Sequence, residues 1–259
     1  MRVLFVGDVF GKPGRKAFRS RLRALSLEAE FDLVIINGEN AAGGFGITRK
    51  VADEIFSDGA GVITSGNHIW DKKEALGLLE EEPRVIRPAN YPPGVPGSGS
   101  TVVTTRSGAR IGVLNLAGRV FMNTLDCPFR AASHEIGALR EKCDSIIVDF
   151  HAEATSEKIA MGWHLDGKVA AVLGTHTHVQ TADERILPGA TAYISDVGMT
   201  GPINSVIGVR TDQILERFLL QMPNRYEVAE GPVVFSAVVV VIDESTGLAS
   251  SITRLYEIM

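Results

Sequence analysis

Short runs of Val, Ile and Leu alternate along the chain with longer charged segments of helical period. Apolar runs of strand length occur at residues 3–6, 33–36, 62–64, 111–116, 146–150 and 170–173. Amphipathic helices are predicted at residues 15–30, 48–57, 72–81, 133–142 and 156–165. Unbroken apolar runs are typical of strands that other layers cover on both faces, so this alternation predicts a layered α/β fold.

The last part of the chain has a different pattern. Residues 233–242 and 251–256 resemble two strands joined by a turn-rich segment at 243–247. The stretch 200–232 lies between two strand candidates and is a candidate lid over a site, with an ordinary surface excursion as the alternative. With 259 residues, 45% of them hydrophobic, the chain has enough apolar surface for a large core, and we predict a single domain over residues 1–259.

The charge balance and the cysteines restrict the class of protein. A net charge of −5 argues against a protein that coats nucleic acid, so no stable nucleic-acid partner is expected. The first residues lack the pattern of a signal peptide, and the longest apolar run, 235–242, is too short to cross a bilayer. Cys127 and Cys143 form no CxxC pair and are expected to be reduced thiols. We therefore expect a cytoplasmic protein without a membrane partner.

Five of the predicted strands are followed directly by carboxylate, amide or imidazole side chains. These side chains belong to Asp8, Glu39, Asn40, Asn67, His68, His151, His176 and His178. In a parallel α/β sheet the carboxyl ends of the strands converge on one edge, where ligands bind. Glycines near these positions allow sharp backbone turns that bring the side chains together. The pattern predicts one polar site at this edge.

Three of these residues also have structural explanations. Asp8 could cap the next helix, Asn67 could be a turn residue, and His151 could be a hydrogen-bonded structural histidine. The closely spaced His176 and His178 favour metal binding. Carboxylate, amide and imidazole groups without thiolate are typical ligands of manganese, iron or zinc. The seven groups other than His68 are too many for one catalytic ion with an open position, and they suit two ions that share a carboxylate.

The order of the motifs resembles the signature of the calcineurin-like metallophosphoesterases. The matching segments are Gly7-Asp8, Gly38-Glu39-Asn40, Gly66-Asn67-His68, His151 and Gly174-Thr175-His176-Thr177-His178. The chain departs from the general pattern at Phe10, where that family has a histidine, and at Glu39, where it usually has an aspartate. These departures, together with Asn40, resemble the YmdB-like bacterial branch of the superfamily. The resemblance extends over essentially the whole chain, including residues 67–71 and 195–201.

This resemblance implies an α/β/β/α sandwich with mixed sheets and a metal-dependent phosphoric diester hydrolase. The ligands that it implies for one metal are Asp8, Glu39, Asn40 and His178. Those that it implies for the other metal are Glu39, Asn67, His151 and His176. Glu39 would bridge the two ions, and Asn40 would fill the place left by Phe10. Iron or manganese is favoured, zinc is the alternative, and the implied substrates are small phosphodiesters, namely 2′,3′- or 3′,5′-cyclic nucleotides.

The implied reaction is attack on the phosphorus by a hydroxide that bridges the two metals. His68 follows Asn67 directly, so we predict that it lies beside the metals and protonates the departing ribose oxygen as general acid. A structural role for His68 is the alternative. Asp71 is a candidate to orient it because the two residues are close in the chain.

Other functions remain open at this point. A phosphomonoesterase or an RNA-cleaving enzyme would use the same metal core, and a non-catalytic regulator would bind a nucleotide there without turnover. The late position of the HxH motif disfavours a metal amidohydrolase. Lys12 and Arg15 are expected to be solvated surface charges, because residues 11–15 lack P-loop spacing. His134 and His164 lie within predicted helices and outside the site, and a homo-oligomer is compatible with this interpretation.

Overall fold

The computed structural model describes the whole chain, Met1–Met259. Its thirteen strands are β1 (Arg2–Val6), β2 (Asp8–Val9), β3 (Leu33–Asn37), β4 (Val62–Thr64), β5 (Ser100–Thr104), β6 (Arg110–Ala117), β7 (Ser145–His151), β8 (Ala171–Thr175), β9 (Arg185–Ile186), β10 (Ala192–Ile194), β11 (Met199–Pro202), β12 (Val233–Ile242) and β13 (Ala249–Ile258). Its six α-helices are α1 (Gly11–Glu28), α2 (Arg49–Ser57), α3 (Ala75–Glu81), α4 (Pro128–Arg140), α5 (Thr155–Leu165) and α6 (Thr211–Leu220).

The strands form two mixed sheets. In the first sheet the order is β2-β11-β12-β1-β3-β4, and β13 pairs with the other edge of β12. Strands β1, β3 and β4 are parallel, whereas β12 is antiparallel to its neighbours β1, β11 and β13. The order in the second sheet is β5-β6-β7-β8-β10-β9, with parallel strands from β6 to β10 and an antiparallel strand at each edge. Both sheets therefore have a block of parallel strands whose carboxyl ends can build a site.

The two sheets pack face to face, and helices cover their outer faces. Because side chains alternate along a strand, Phe5 and Ile147 point into the core between the sheets. On the outer face of the first sheet the core contains Phe18 of α1, together with side chains of α2 and α3. On the outer face of the second sheet, Ile136 of α4 and Met161 of α5 pack against the strands. The predicted α/β/β/α sandwich with mixed sheets is confirmed.

The sequence-based interpretation of Arg15 was wrong. Arg15 lies in α1, its side chain is only 13% exposed, and it forms an ion pair with Glu54 while donating a hydrogen bond to the carbonyl of Ala41. Residues 11–15 start the first helix earlier than predicted, because Gly11 has a left-handed φ of 58° that lets the chain turn directly after β2. Arg15 thus joins two helices of the outer layer, whereas Lys12 is exposed as predicted.

The six predicted strands of the α/β part are confirmed to within about two residues, and so are the two strands near the end of the chain. The stretch 200–232 contains part of β11 and the whole of α6. Its function as a lid stays a prediction. None of the six helices has the length and apolar character needed to span a membrane.

Candidate metal centre

The predicted site residues lie together where the parallel strands of the two sheets end. In chain order they are Asp8 after β1, Glu39 and Asn40 after β3, Asn67 and His68 after β4, His151 at the end of β7, and His176 and His178 after β8. Strands β1, β3 and β4 belong to the first sheet, whereas β7 and β8 belong to the second. The packing of the two sheets therefore brings carboxylates and amides from one sheet against imidazoles from the other.

His151 is at the centre of one half of this cluster. Its Nε2 atom lies 3.1 Å from Oε1 of Glu39, 3.0 Å from Oδ1 of Asn67 and 3.0 Å from Nδ1 of His176. The ligand atoms of Glu39, His151 and His176 are all within 4.8 Å of one another. These three side chains and Asn67 therefore direct four potential ligand atoms at one small volume.

Asp8, Asn40 and His178 form the other half, and Glu39 contacts both halves. Nε2 of His178 is 3.7 Å from Oδ1 of Asp8 and 3.3 Å from Nδ2 of Asn40. Nδ2 of Asn40 also lies 3.3 Å from Oε1 of Glu39. Asp8 does not cap α1, because Phe10 is the N-cap residue of that helix and no side chain caps it. The structural alternative for Asp8 is therefore wrong.

Hydrogen bonds on the far side of the ring orient His151 and His178. The hydroxyl group of Thr175 donates its proton to the carboxylate of Asp149. Its oxygen therefore accepts a hydrogen bond from Nδ1 of His151 at 2.9 Å. Nδ1 of His178 donates to the carbonyl of Ile207 at 2.9 Å. In the neutral form both rings then present an unprotonated Nε2 to the cluster, which is the form that binds a metal.

His176 is oriented the other way round. Its Nδ1 faces His151, and its Nε2 lies 3.1 Å from Oε2 of Glu153, which is 48% exposed at the edge of the site. Glu153 was not among the predicted residues. Its position two residues after His151 was the only signal in the sequence, since its contact with His176 depends on how β7 and β8 end.

Asp149 is a second residue that the sequence interpretation missed. It is fully buried on β7 beneath the cluster, where its carboxylate accepts hydrogen bonds from Thr64, Thr175 at 2.7 Å and Asn37 at 3.0 Å. A carboxylate in the middle of a buried apolar strand was the available signal, because such residues are rarely buried without a partner. Asp149 connects both sheets and holds Thr175 against His151.

The carboxylates and imidazoles of this cluster shift one another's pKa values. Burial lowers the pKa of His151, but the carboxylates of Glu39, Asp8 and Asp149 outweigh it and raise this pKa to about 9. Burial raises the pKa of Glu39, yet the neighbouring imidazole of His151 lowers it to about 2. Burial also raises the pKa of Asp8, and it raises that of Asp149 to about 6. Burial and the charge of His151 lower the pKa of His176 to about 3.

This arrangement fits bound cations. Nε2 of His151 faces the carboxylate of Glu39 at 3.1 Å, a position where a bound metal ion would take the place of a proton. Oδ1 of Asp8 and Oδ1 of Asn40 are buried without any hydrogen-bond partner, and such atoms are normally paired. Oxygen and imidazole donors without thiolate suit hard or borderline divalent ions. The donor set therefore fits two ions that share Glu39.

His68 lies at the edge of this cluster of predicted ligands and faces an open cavity. Its backbone N–H donates to Oε2 of Glu39 at 2.9 Å, and its Nδ1 lies 2.8 Å from Oδ2 of Asp71. The imidazole is 32% exposed and packs edge-on against the ring of Phe45 at 5.1 Å. The cavity has a volume of about 370 Å³ and also borders Tyr226 from the stretch 200–232. His68 can thus contact a small molecule without being a ligand itself.

Phe10, which stands where the general family pattern has a histidine, belongs to an apolar group beside the cluster. The ring is 3% exposed and packs edge-on against His178 at 5.7 Å, with Met199 and Ile214 in the same apolar group. Nδ2 of Asn40 lies 3.3 Å from Nε2 of His178. That Asn40 fills the ligand position left by Phe10 stays a prediction.

Gly66 allows the cluster to close. A Cβ atom at this position would lie 2.2 Å from Nε2 of His151 and 2.5 Å from Oε2 of Glu39. Gly66→Ala should displace both side chains, lower the metal content of the purified protein and destabilise it by about 1–3 kcal/mol, as overpacking does. Thermal unfolding and elemental analysis measure the two effects.

Gly137→Ala is the matched control, because Gly137 is exposed on α4 and no atom lies within 4 Å of the added Cβ. This variant should keep its metal and gain about 0.5–1 kcal/mol of stability. Full metal content in Gly66→Ala would contradict the close approach at this position.

The chain is similar to several known proteins. The family model described as YmdB-like protein matches residues 4–255. The chain is 48% identical over 255 residues to the 2′,3′-cyclic-nucleotide 2′-phosphodiesterase of Bacillus subtilis, a match that covers 98% of this chain and 96% of that protein. A hypothetical protein from Thermus thermophilus has a similar crystal structure, with a TM-score of 0.94 and 43% identity over 100% of this chain and 99% of that one. For a phosphatase from Mycoplasma pneumoniae the TM-score is 0.92 at 35% identity, over 100% of this chain and 93% of the other.

Proposed function

The chain belongs to the YmdB-like family, and we propose that it is a two-metal phosphodiesterase acting on 2′,3′-cyclic nucleotides. One observation carries the proposal: Glu39 lies between two groups of buried ligand atoms, next to an open cavity that His68 faces. The relative from Bacillus subtilis bears the name of this activity. Ester hydrolysis at phosphorus is the chemistry that such a pair of ions supports.

The proposed ligands form two groups, which correspond to the two halves of the cluster. Those of one ion are Asp8, Glu39, Asn40 and His178. Those of the other ion are Glu39, Asn67, His151 and His176. The unpaired oxygens of Asp8 and Asn40 support the first group, and the three contacts to Nε2 of His151 support the second. Manganese or iron is the proposed metal, with zinc as the alternative, because an amide oxygen in the first group favours a harder ion.

When bound, the two ions supply Lewis-acid activation of a water molecule and neutralise charge on the phosphoryl oxygens. The protein's own contribution begins with Glu39, which holds the backbone of His68 in place through the bond from its N–H. Nδ1–H of His68 donates to Asp71, so Nε2 is free to face the cavity. A protonated Nε2 can transfer its proton to the departing ribose oxygen, and Asp71 stabilises the positive ring while it does so.

The cavity favours a small substrate. Its volume of about 370 Å³ suits a mononucleotide, and Phe45 and Tyr226 offer aromatic surface to a base. A long nucleic acid is disfavoured because the net charge of −5 provides no extended basic surface for its phosphates. Among phosphodiesters we therefore propose cyclic mononucleotides, with the 2′,3′-isomers first and the 3′,5′-isomers second.

A substrate screen tests the proposal. Metal-reconstituted protein would be assayed with 2′,3′-cyclic AMP, 3′,5′-cyclic AMP, p-nitrophenyl phosphate and a short RNA. The highest kcat/KM is expected for 2′,3′-cyclic AMP. A preference for p-nitrophenyl phosphate would replace the proposal by a phosphomonoesterase, and a preference for the RNA would replace it by a ribonuclease. Nucleotide binding without hydrolysis of any ester would indicate a non-catalytic regulator.

The cellular setting is part of the proposal. Cys127 and Cys143 are free thiols, which agrees with a reducing compartment such as the cytoplasm. A homo-oligomer, a single domain with a lid over residues 200–232, and the lack of a stable nucleic-acid partner stay predictions.

A further inference from the structure

The short loop after β8 that carries His176 and His178 has an unfavourable backbone. The φ angles of these residues are 106° and 67°, in the left-handed region that residues with a side chain rarely adopt. Neither position is a glycine, so the conformation costs free energy and persists only if contacts around it hold the loop. The backbone N–H of His176 donates to Oδ2 of Asp8 at 3.2 Å, and Thr177, which lies between the two histidines, makes two further contacts.

Asp196 is the group that holds Thr177. It lies just after β10 and is 1% exposed. Its Oδ2 atom accepts a hydrogen bond from the backbone N–H of Thr177 at 3.0 Å and from the hydroxyl of Thr177 at 2.8 Å. Its Oδ1 atom accepts from the N–H of Gly198 at 2.8 Å. The carboxylate therefore ties the loop after β8 to the chain after β10.

Lys158 fixes Asp196 from the other side. It comes from α5, is 2% exposed, and its Nζ lies 2.6 Å from Oδ2 of Asp196. A buried lysine requires a compensating charge, and a buried carboxylate requires one as well, so each residue determines the position of the other. The pair connects the helix layer, the second sheet and the loop of the two histidines.

The end of β8 also lies close to the chain that follows β10. A Cβ atom at Gly174 would lie 1.8 Å from the carbonyl oxygen of Ser195, so only glycine fits. The chain after β10 therefore restricts the backbone where the loop of the two histidines begins. Asp196, the residue after Ser195, then binds Thr177 within that loop. The contacts at both places direct the chain toward the metal cluster.

We infer that the buried pair of Lys158 and Asp196 is a positioning device that acts through Thr177 to hold His176 and His178 as metal ligands. This inference rests on the proposed two-metal function. Neither charged residue lines the cavity, and Asp196 contacts the loop of the two histidines through Thr177, which does line it. The carboxylate of Asp196 accepts four hydrogen bonds, and two of them come from the residue between the two proposed ligands. Loss of these bonds should therefore weaken metal binding more than it weakens the fold.

Thr177→Val tests the inference, because it removes one hydroxyl and keeps the shape of the side chain. Mn²⁺ would be titrated calorimetrically into metal-stripped protein. We expect binding about 10–100-fold weaker than in the unsubstituted protein, the usual loss when a group that orients a ligand is removed. Thr177→Ser keeps the hydroxyl and should restore the affinity.

Thr191→Val is the matched control. Thr191 is fully buried just before β10, at the end of that strand away from the site, and its hydroxyl donates to the carbonyl of Val169 at 2.7 Å. This variant should bind Mn²⁺ as the unsubstituted protein does, even if its melting temperature falls. Asp196→Asn should weaken binding too, and its effect should not add to that of Thr177→Val, because both act through the same contact.

The outcomes separate the two proposals. If the unsubstituted protein binds no Mn²⁺, the proposed function fails. If it binds Mn²⁺ and Thr177→Val binds equally well, only the positioning inference is overturned. Equal weakening in Thr177→Val and Thr191→Val would also overturn it, since the loss would then reflect stability alone. Should Asp196→Asn fail to fold, the comparison of the two Thr177 variants still decides.

Discussion

His68→Ala is expected to lower the kcat for 2′,3′-cyclic AMP by about 10²–10⁴-fold, the usual contribution of a general acid, while the metal content stays unchanged. The reason is the position of the side chain. The imidazole faces the cavity and is held by Asp71 at 2.8 Å, whereas none of the cluster distances involves its ring nitrogens. Steady-state kinetics and elemental analysis of the same preparation measure the two quantities.

Two further variants control this prediction. Asn67→Ala should lose metal as well as turnover, because Oδ1 of Asn67 points at the cluster 3.0 Å from His151. Asp71→Asn should lose less turnover than His68→Ala, since it removes only the group that orients the ring. Equal kcat in His68→Ala and the unsubstituted protein would refute the assignment of His68 as general acid.

Glu39→Gln is the second variant with a large expected effect. It removes the negative charge between the two ligand groups and nearly preserves the volume of the side chain. Both ions should be lost or bound far more weakly. Removal of a residue that only hydrogen-bonds to a metal ligand costs about 10–100-fold in activity. Glu39→Gln changes a ligand itself, so its turnover should fall by more than that. Elemental analysis, calorimetric titration with Mn²⁺ and kcat/KM for 2′,3′-cyclic AMP are the measurements.

Glu54→Gln is the control for the charge change. Glu54 is 29% exposed in the helix layer, where it forms ion pairs with Arg15 and Arg19, away from the metal cluster. This variant should keep both metals and full turnover. If Glu39→Gln retained two tightly bound ions, Glu39 could not be the shared ligand.

The sequence was sufficient to locate the site because parallel strands direct their carboxyl ends to the same edge of a sheet. The positions of Asp8, Asn67 and His151 followed from this rule alone, and the structure brings them together. The enzyme class and the family, which the motifs and their resemblance predicted, are confirmed by the comparisons. The assignment of individual ligands stays a proposal that the geometry supports.

The contacts that the sequence did not predict are made between residues that are far apart in the chain. Glu153 meets His176, and Asp196 meets Thr177, only because β7, β8 and β10 are neighbours in the second sheet. Local sequence shows neither contact. The orientation of each imidazole is equally hidden, since it depends on which partner lies behind the ring, such as Ile207 for His178.

Strand β11 and helix α6 were missed for different reasons. Strand β11 has four residues, two of them Gly and Pro, and forms because β12 and β2 offer edges to pair with. Helix α6 has a regular apolar pattern but lies in the stretch 200–232, where no predicted strand fixed its limits. Tertiary pairing, rather than local propensity, determines a strand such as β11.

Titration of metal-stripped protein with Mn²⁺, with hydrolysis of 2′,3′-cyclic AMP followed in the same samples, tests the central claim most directly. The two groups of ligands around Glu39 predict that hydrolysis is absent without metal and reaches its maximum at two ions per chain. Hydrolysis at the same rate in the metal-stripped protein, or full binding of two ions without hydrolysis of any phosphodiester, would contradict a two-metal phosphodiesterase.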